Sequence, residues 1–258
     1  MVGKGSVNHN SRKFRAENVD GTRTCLNIDY CNENIKTVYH ELFDEALERY
    51  NAKQTRSDRK IKDYYEKIRS SKQEKPFHEI ILQVGGKGNM NADTENGELA
   101  KQILDEYYQR FQERNPQLRV FSAHLHMDEA TPHLHIDFVP FTTESKRGLD
   151  TRVSLKQALA AQGFKGGTRG DTEWNQWVSA EKSALAFVME RHGIKWEHKG
   201  TRICAVCNYS SSWRIYGNSR CDKSRTYRNR NADTRYDCIF PYALTKPYKS
   251  CIADFKSV

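Results

Sequence analysis

Hydrophobic positions recur with helical spacing in four segments of the chain, and three other segments carry the short apolar runs typical of strands. The helices are predicted over about residues 36–53, 97–114, 153–162 and 172–191. The strands are predicted over residues 77–85, 119–127 and 133–141. A charged stretch, residues 55–75, has only a thin apolar stripe and is predicted to be a solvated helix. Because helices lie between strands, the sequence predicts an α+β fold with helices packed on an antiparallel sheet.

Both ends of the chain lack such periodicity. Residues 1–35 are polar and irregular. Residues 201–258 hold 11 of the 42 Lys and Arg residues, 4 of the 33 Asp and Glu residues, and five of the seven cysteines. The net charge of +9 therefore comes mostly from this segment, and the overall charge alone is a weak indication of a nucleic-acid partner. We predict a folded domain over residues 1–199 and an irregular, basic, Cys- and Tyr-rich tail over residues 200–258.

Two hypotheses account for the tail. The abrupt loss of Glu and gain of Cys, Arg, Ser and Tyr is typical of an out-of-frame product, which would leave the segment disordered. The alternative is a small zinc site formed by Cys204, Cys207, Cys221 and Cys238, although a second C-x-x-C pair is missing. Scattered cysteines in a cytosolic protein do not indicate disulfides.

The apolar runs are too short to cross a membrane. No stretch approaches 18 uninterrupted apolar residues, and the N-terminal residues have no apolar segment of the kind found in secretory signals. We therefore expect no membrane segment in this chain and a cytoplasmic location.

Four of the nine histidines fall within twelve residues, on the last two predicted strands. Alternation gives each strand one polar and one apolar face. On the first strand the polar face comprises Ser122, His124, His126 and Asp128, and the apolar face comprises Phe121, Ala123, Leu125 and Met127. On the second strand one face comprises His133, His135, Asp137 and Val139. If residues 128–132 form a turn that pairs the strands, three imidazoles come together as a divalent-metal site with positions open for substrate. The alternative is an ordinary hairpin whose histidines point to solvent.

Two acids lie beside these histidines. The spacing Glu129-x-x-x-His133, with Pro132 between them, excludes the helical HExxH motif of metalloproteases. Asp128 is expected either to share the histidine face or to cap the turn. Glu129 is expected to act either as a general base or as a carboxylate that fixes a histidine tautomer.

Three ordered motifs carry a family resemblance. The segment His126-x-Asp128-Glu129-x-x-Pro132-His133-x-His135 resembles the motif of the Mob/Pre plasmid mobilisation and recombination relaxases, a MobV-type branch of the HUH endonucleases. Upstream, His9-Asn10-Ser11-Arg12 is similar to the H-N-x-R block of that family, and Arg23-Thr24-Cys25-Leu26-Asn27 is similar to its R-[ST]-x-L-N block. The resemblance extends over about residues 5–199.

The resemblance implies a DNA relaxase with the HUH relaxase fold. Such an enzyme nicks one strand at the transfer origin of a plasmid or mobile element through a covalent protein–DNA intermediate and then rejoins it. The implied partner is DNA, as a single-stranded or supercoiled transfer origin. The implied metal ligands are His126, His133 and His135, holding Mn²⁺ or Mg²⁺.

The resemblance also implies catalytic roles for residues of the motifs. His9 would be the nucleophile, Arg12 would clamp phosphate oxygens, and Glu129 completes the predicted catalytic set. A tyrosine nucleophile, usual in other HUH enzymes, would be Tyr30, Tyr39, Tyr107 or Tyr108. The last two fit an amphipathic helix, which favours a packing role for them.

A strand held at the nick needs cations along its backbone. The predicted DNA contacts are Arg12, Arg23, Asn27, Arg147, Arg152, Lys165 and Arg169, with Arg119 and Lys146 as further candidates. Trp174 and Trp177 offer base-stacking surfaces, although their helical spacing favours the core.

Two other functions fit the same residues. A metal-dependent phosphodiesterase would hydrolyse DNA with activated water, without a covalent adduct and without His9. A truncated remnant would bind an origin without mobilising it. Family members usually continue into Glu/Lys-rich helices that dimerise or contact membranes, which are absent here, and a homodimer is a further expectation.

Overall fold

The computed structural model describes residues 7–195 and the backbone of residues 214–217, all within one compact unit. The helices are Val7–Asn10 (α1), Ile35–Ala52 (α2), Tyr64–Arg69 (α3), Glu95–Gln109 (α4), Phe111–Arg114 (α5), Leu155–Ala161 (α6) and Glu173–Arg191 (α7). The strands are Ile28–Asn32 (β1), His78–Gln83 (β2), Leu118–His126 (β3), His133–Thr142 (β4), Arg152–Val153 (β5) and Arg214–Gly217 (β6). Short 3₁₀ turns cover Thr24–Leu26 and Ser57–Arg59.

The strands form an antiparallel sheet in the order β1-β3-β4-β2-β6. Strand β5 pairs with the C-terminal end of β4, which is called the far end because it lies away from the histidines at the start of that strand. The two longest strands, β3 and β4, lie at its centre and are joined by residues 127–132. Their central position buries nearly every residue of both strands. The predicted α+β class, with helices packed on an antiparallel sheet, is confirmed.

The two faces of the sheet are covered differently. One face packs its apolar side chains against α4, α5, α6 and α7 in the larger hydrophobic core. The other face is covered at its far end by α2 and α3, which enclose Phe121 and Val139. The near end of that second face carries the histidines and is covered by the N-terminal residues instead.

Polar caps set where most helices begin. In each case the capping side chain accepts a hydrogen bond from a backbone N–H of the first turn, which otherwise lacks a partner. The capping residues are Asn34, Asp63, Thr94, Ser154 and Thr172. The helix predicted over residues 97–114 starts at its Thr94 cap and is interrupted at Arg110, so that it forms two helices, α4 and α5.

Several local predictions were wrong. The polar N-terminal 35 residues contain α1 and the edge strand β1, because β1 is stabilised by pairing with β3 rather than by a pattern of its own. In the charged stretch only α3 is a helix of more than one turn, and its Tyr64 and Ile68 are buried rather than solvated. A register shift between Val120 and Ser122 turns Phe121 to the opposite face from Ala123.

The predicted tail begins near the end of the described chain. Arg214–Gly217, inside the segment predicted to be irregular, pairs antiparallel with β2 as an edge strand. Four residues are too few to show strand periodicity in the sequence. The proposed cysteine ligands Cys204, Cys207, Cys221 and Cys238 lie outside the described residues. None of the described helices is both long and apolar enough to span a bilayer.

Candidate metal and nucleic-acid site

The histidine face forms because β3 and β4 pair in the register that alternation requires. His126 lies opposite His133, and His124 lies opposite His135. The pairing brings one ring nitrogen of each of His126, His133 and His135 to within 4.8 Å of the others. All three side chains are buried, and their ring centroids are 4.9 to 5.1 Å apart. The predicted convergence of three histidines is therefore present.

Each of the three rings has one nitrogen held by an acceptor outside the cluster. Nδ1 of His133 donates to the carbonyl of Thr131 at 2.8 Å, and Nδ1 of His135 donates to Oε1 of Glu79 at 2.8 Å. Nε2 of His126 donates to the carbonyl of Asn10 at 2.8 Å. The three opposite nitrogens are thereby assigned as lone-pair atoms, as in metal-binding histidines whose other N–H is anchored.

The lone-pair nitrogens fit a cation. Nε2 of His135 is buried without a hydrogen-bond partner, and Nδ1 of His126 lies 3.4 Å from Nε2 of His133. Burial lowers the pKa of all three imidazoles, and the neighbouring rings lower the pKa of His126 and His135 further. The neutral form that binds metals is therefore favoured. The residues present fit a divalent ion that takes nitrogen ligands and leaves positions for oxygen ligands.

The fourth histidine of the hairpin has a different partner. Nδ1 of His124 lies 2.6 Å from Oδ1 of Asp29 on β1, and its ring centroid is 6.3 Å from that of His126. His124 is not among the groups whose ligand atoms converge in the described part of the chain. It links the histidine face to the neighbouring strand.

The N-terminal segment reaches this face through a tight turn after α1. Arg12 has a positive φ of 55°, which is uncommon outside glycine and turns the chain back so that the backbone N–H of Phe14 donates to the carbonyl of Asn8. The turn directs the Arg12 guanidinium toward the residues 127–132 connection. A second contact holds the N-terminal segment to this connection, because the backbone N–H of Asp20 donates to the carbonyl of Asp128 at 2.8 Å.

The guanidinium of Arg12 is fully occupied by protein partners. Nε and one terminal nitrogen bind the two carboxylate oxygens of Asp128, and the same terminal nitrogen donates to Oε1 of Glu129 at 3.0 Å. The other terminal nitrogen lies 3.2 Å from Nε2 and 3.3 Å from the carbonyl of His9. These contacts use all five N–H groups. The predicted phosphate clamp thus has its donors engaged within the site.

Asp128 is the buried acceptor that gathers the N-terminal residues. Besides Arg12, its Oδ2 accepts from Nδ2 of Asn27 at 2.8 Å and from the hydroxyl of Thr24 at 3.1 Å. Burial would raise the pKa of Asp128, but the hydrogen bonds from Arg12 and Asn27 outweigh burial and lower that pKa to about 2. Asp128 therefore anchors this segment, a role that neither sequence interpretation gave it.

Two residues predicted to contact DNA, Asn27 and Arg23, instead bind the turn after β3. Oδ1 of Asn27 accepts from the backbone N–H groups of Met127 and Asp128, at 2.7 and 3.2 Å. Arg23 donates to the carbonyl of Glu129 at 2.9 Å and forms ion pairs with Asp20 and Asp93. Both side chains hold the N-terminal segment against the turn.

A cleft of about 380 Å³ opens in front of the histidines. It is lined by His9, Asn18, Ile81, Gln83, Glu129, Ala130, Thr131, His133 and His135. Nε2 of His9 lies 3.5 Å from Oε1 of Glu129, which is itself 3.7 Å from Nε2 of His133. Oε2 of Glu129 accepts from Nδ2 of Asn18 at 2.7 Å. The predicted nucleophile His9, the carboxylate of Glu129 and two predicted metal ligands therefore share one cleft.

The four alternative tyrosines lie away from this cleft. The hydroxyl of Tyr30 donates to Asp105 at 2.6 Å, that of Tyr39 donates to the carbonyl of Pro76, and that of Tyr107 donates to buried Glu181. Tyr108 stacks on Tyr30 with ring centroids 4.0 Å apart. Each fills a hydrophobic core or borders one, as the helical spacing of Tyr107 and Tyr108 indicated for those two.

The remaining predicted DNA contacts lie away from the histidines. Arg147 and Lys146 are exposed in the loop after β4, and Arg152 pairs with Thr142 at the end of that strand. His133 and Thr142 are separated by the length of β4, about 30 Å. Lys165 and Arg169 are exposed in the connection between α6 and α7.

The other candidates for DNA binding are occupied by packing. Arg119 forms a two-pronged ion pair with Glu33, at 2.9 and 2.8 Å. Trp177 is fully buried and donates to Asn115 at 2.6 Å, and Trp174 packs against it with ring centroids 4.9 Å apart.

Four buried polar side chains that received no functional role from the sequence lie under the histidines, namely Asn10, Glu79, Ser122 and Asp137. Burial and the nearby Glu79 carboxyl raise the pKa of Asp137 to about 7, and burial raises the pKa of Glu79. Glu79 was detectable as an acid within an apolar strand, and Asp137 as a member of the histidine face. Only the fold shows that Asn10 joins them.

The sequence is also similar to known proteins. Residues 6–165 match the family model Mob_Pre, described as plasmid recombination enzyme. The chain is 29% identical over 160 residues to the plasmid recombination enzyme type 3 of Staphylococcus aureus and to that of Mammaliicoccus lentus. The match covers 60% of this chain and 33% of each relative, so the chain spans about a third of the length of these curated relatives.

Two solved structures are also similar, both of the MobM relaxase domain (MOBV; Mob_Pre), Mn-bound and in complex with plasmid pMV158 oriT DNA. One has 20% identity and a TM-score of 0.44 over 79% of this chain and 88% of that chain. The other has 19% identity and a TM-score of 0.42 over 80% and 87%. The family match spans more than half of the sequence, and the chain therefore belongs to the Mob_Pre family of plasmid recombination enzymes.

Proposed function

We propose that this chain is a metal-dependent DNA relaxase. It nicks one strand at the transfer origin of a plasmid or mobile element, holds the 5′ end covalently and rejoins it. The observation that carries the proposal is the shared cleft, in which His9 and Glu129 lie beside His133 and His135. A metal-binding cluster and a nucleophile must face the same phosphate for such a reaction, and one cleft provides that arrangement.

His126, His133 and His135 would hold the divalent ion, Mn²⁺ or Mg²⁺. When bound, such an ion polarises a phosphate oxygen and stabilises the negative charge that develops on it. The three anchored rings support this assignment, because each already presents a neutral lone pair. The buried, partnerless Nε2 of His135 supports it independently.

His9 is the proposed nucleophile. A guanidinium N–H only donates, so the contact from Arg12 at 3.2 Å assigns Nε2 of His9 as the lone-pair nitrogen. Once Arg12 releases that lone pair, it forms a bond to phosphorus and the bond from phosphorus to the 3′ oxygen breaks. The 3′ oxygen takes up a proton from water, and the phosphorylated ring returns its Nδ1 proton to the solvent, so that protons balance. The 5′ phosphate remains on His9 as a phosphoramidate. Attack by the 3′ hydroxyl reverses the step and restores the strand.

Arg12 and Glu129 both lie beside Nε2 of His9 and bind each other. Glu129 accepts from Arg12 and Asn18 and lies 3.5 Å from His9 Nε2. Because a neutral imidazole attacks without losing a proton first, His9 needs no general base. We assign Glu129 an orienting role that acts through Arg12, since Glu129 binds the guanidinium that donates to His9. A direct Arg12 contact to phosphate requires one of its N–H groups to exchange a protein partner for DNA.

The test uses the purified chain, Mn²⁺ and a supercoiled plasmid that carries a candidate origin. We expect nicked plasmid with protein attached to the 5′ end, through an acid-labile bond that distinguishes a phosphoramidate from a tyrosyl ester. His9→Ala should abolish the adduct, while Tyr30→Phe, a tyrosine outside the cleft, should retain it.

The same assay separates the competing functions. Nicking without an adduct, unaffected by His9→Ala, would replace the relaxase by a phosphodiesterase. Origin binding without nicking would indicate an inactive remnant. An adduct that survives His9→Ala and disappears in a tyrosine variant would overturn the histidine nucleophile.

A further inference from the structure

A buried amide lies directly beneath the histidine cluster. Asn10 is the last residue of α1 and is 2% exposed. Its Nδ2 donates one hydrogen to Oε1 of Glu79 at 2.9 Å and the other to Oδ2 of Asp137 at 3.1 Å. Those two carboxyls are cross-strand neighbours on β2 and β4, and the amide is the neutral donor that binds both at once.

This amide is connected to two of the three converging histidines. Oε1 of Glu79 also accepts from Nδ1 of His135 at 2.8 Å. The backbone carbonyl of Asn10 accepts from Nε2 of His126 at 2.8 Å. The third ring, His133, is held by the nearby Thr131 carbonyl and does not depend on the N-terminal segment.

The neighbour of Asn10 in the chain is His9. Adjacent Cα atoms are about 3.8 Å apart, so fixing Asn10 also limits where the His9 ring can lie. The His9 centroid is 6.2 Å from that of His126 and 6.4 Å from that of His135. One buried side chain therefore links the position of the cleft histidine to the orientation of two rings in the cluster.

We propose that Asn10 is a positioning residue for the metal site. It orients His135 through Glu79 and His126 through its own carbonyl, and it fixes the position of the adjacent His9 beside the cluster. The proposal deepens the proposed function, since it assumes that the three histidines bind a divalent ion. Asn10 does not touch the ion and acts only through its partners.

The experiment is a calorimetric titration of the full chain with Mn²⁺ alone. We expect Asn10→Ala to weaken Mn²⁺ binding by about 10- to 100-fold, the usual effect of removing a partner that orients a ligand. The matched control is Asn115→Ala. Asn115 is 1% exposed and donates to buried Glu181 at 3.0 Å, away from the histidine face. It should lose thermal stability and keep its Mn²⁺ affinity.

A double-mutant cycle separates positioning from general loosening. If Asn10 acts through Glu79, the Asn10→Ala and Glu79→Ala losses in Mn²⁺ affinity will be strongly non-additive. Glu79→Gln, which keeps an acceptor oxygen for His135, should lose less than Glu79→Ala. An Mn²⁺ affinity of Asn10→Ala within twofold of the parent, additive losses, or an equal loss in Asn115→Ala would each overturn the proposal.

A measurement on the unaltered chain covers the case in which Asn10→Ala does not fold. Nitrogen-15 NMR of the histidine rings should show the proton on Nε2 of His126 and on Nδ1 of His135, and the opposite tautomers would refute the arrangement. Failure of the relaxase proposal would appear separately, as no adduct on DNA despite normal Mn²⁺ binding. If the unaltered chain binds no Mn²⁺, the positioning role fails together with the metal site.

Discussion

The basic residues predicted to hold DNA fall into two regions with different surroundings. In the N-terminal segment, Arg12 and Arg23 are largely buried. Arg12 binds the two acids of the turn after β3, and Arg23 binds Asp20 of its own segment and Asp93 in the connection before α4. In the loops after β4 and α6, Arg147 and Arg169 are exposed, and neither forms an ion pair with another described residue. The motif residues Arg12 and Arg23 build the site beside the histidines, whereas Arg147 and Arg169 are free to meet a phosphate.

The strongest test of this contrast is Arg12→Ala. It leaves the buried carboxylate of Asp128 without its cation and releases the turn that carries His9, so we expect the free energy of unfolding to fall by about 3–5 kcal/mol. Nicking should be lost even where the protein remains folded. Chemical denaturation and the plasmid assay measure the two effects.

Two variants control this result. Arg12→Lys keeps the charge but loses the planar fork, and should recover only part of the stability. The free energy of unfolding of Arg147→Ala should lie within about 0.5 kcal/mol of the parent value, as expected for an exposed side chain. Equal losses in the free energy of unfolding from Arg12→Ala and Arg147→Ala would contradict the distinction between a structural N-terminal region and exposed loop cations.

The histidine hairpin could be predicted from sequence, and the support around it could not. Alternation along β3 and β4 is a local signal, and it correctly placed His126, His133 and His135 on one face. Strand β1 and helix α1 carry no such signal, because their partners lie about 100 residues away in the chain. Likewise, which acid binds Arg12 depends on a turn whose position only the folded chain defines.

The next largest effect is expected for Asn27→Ala. The side chain accepts from two backbone N–H groups of the turn and donates to Asp128. Its loss leaves the two N–H groups without their acceptor and removes one of the donors to Asp128. We expect a loss of about 2 kcal/mol in the free energy of unfolding and weaker nicking. Asn8→Ala, an exposed position in the same segment, should change neither. If Asn27→Ala instead weakened only DNA binding, with stability unchanged, Asn27 would be a direct contact.

The N-terminal segment also presents an exposed aromatic ring that sharpens the comparison. Phe14 is 60% exposed and is flanked by exposed Lys13 and Arg15, whereas Trp177 is buried. A ring stacked on a base contributes about 1–3 kcal/mol to binding of single strands. Phe14→Ala should therefore weaken binding of a single-stranded origin oligonucleotide by about tenfold in a fluorescence titration.

Phe187 provides a matched control for Phe14. It is 62% exposed on α7, and the Arg191 guanidinium lies 5.3 Å from its ring centroid. Phe187→Ala should leave DNA affinity unchanged. Equal weakening by both substitutions would show that exposed aromatics act nonspecifically, and no weakening by either would remove Phe14 from the DNA surface.

The smallest effects are expected for the distal loop cations. Lys165→Ala and Arg169→Ala remove exposed charges, so each should reduce affinity for single-stranded DNA only a few-fold and leave Mn²⁺ binding and stability unchanged. A lysine or arginine that neutralises one phosphate of a single strand contributes about 0.7 to the slope of log affinity against log salt concentration. A slope reduced by that amount in each variant would place the loop along the DNA backbone. An unchanged slope would confine DNA binding to the cleft, and the exposed cations near His9, Lys13 and Arg15, would then have to supply the electrostatic attraction.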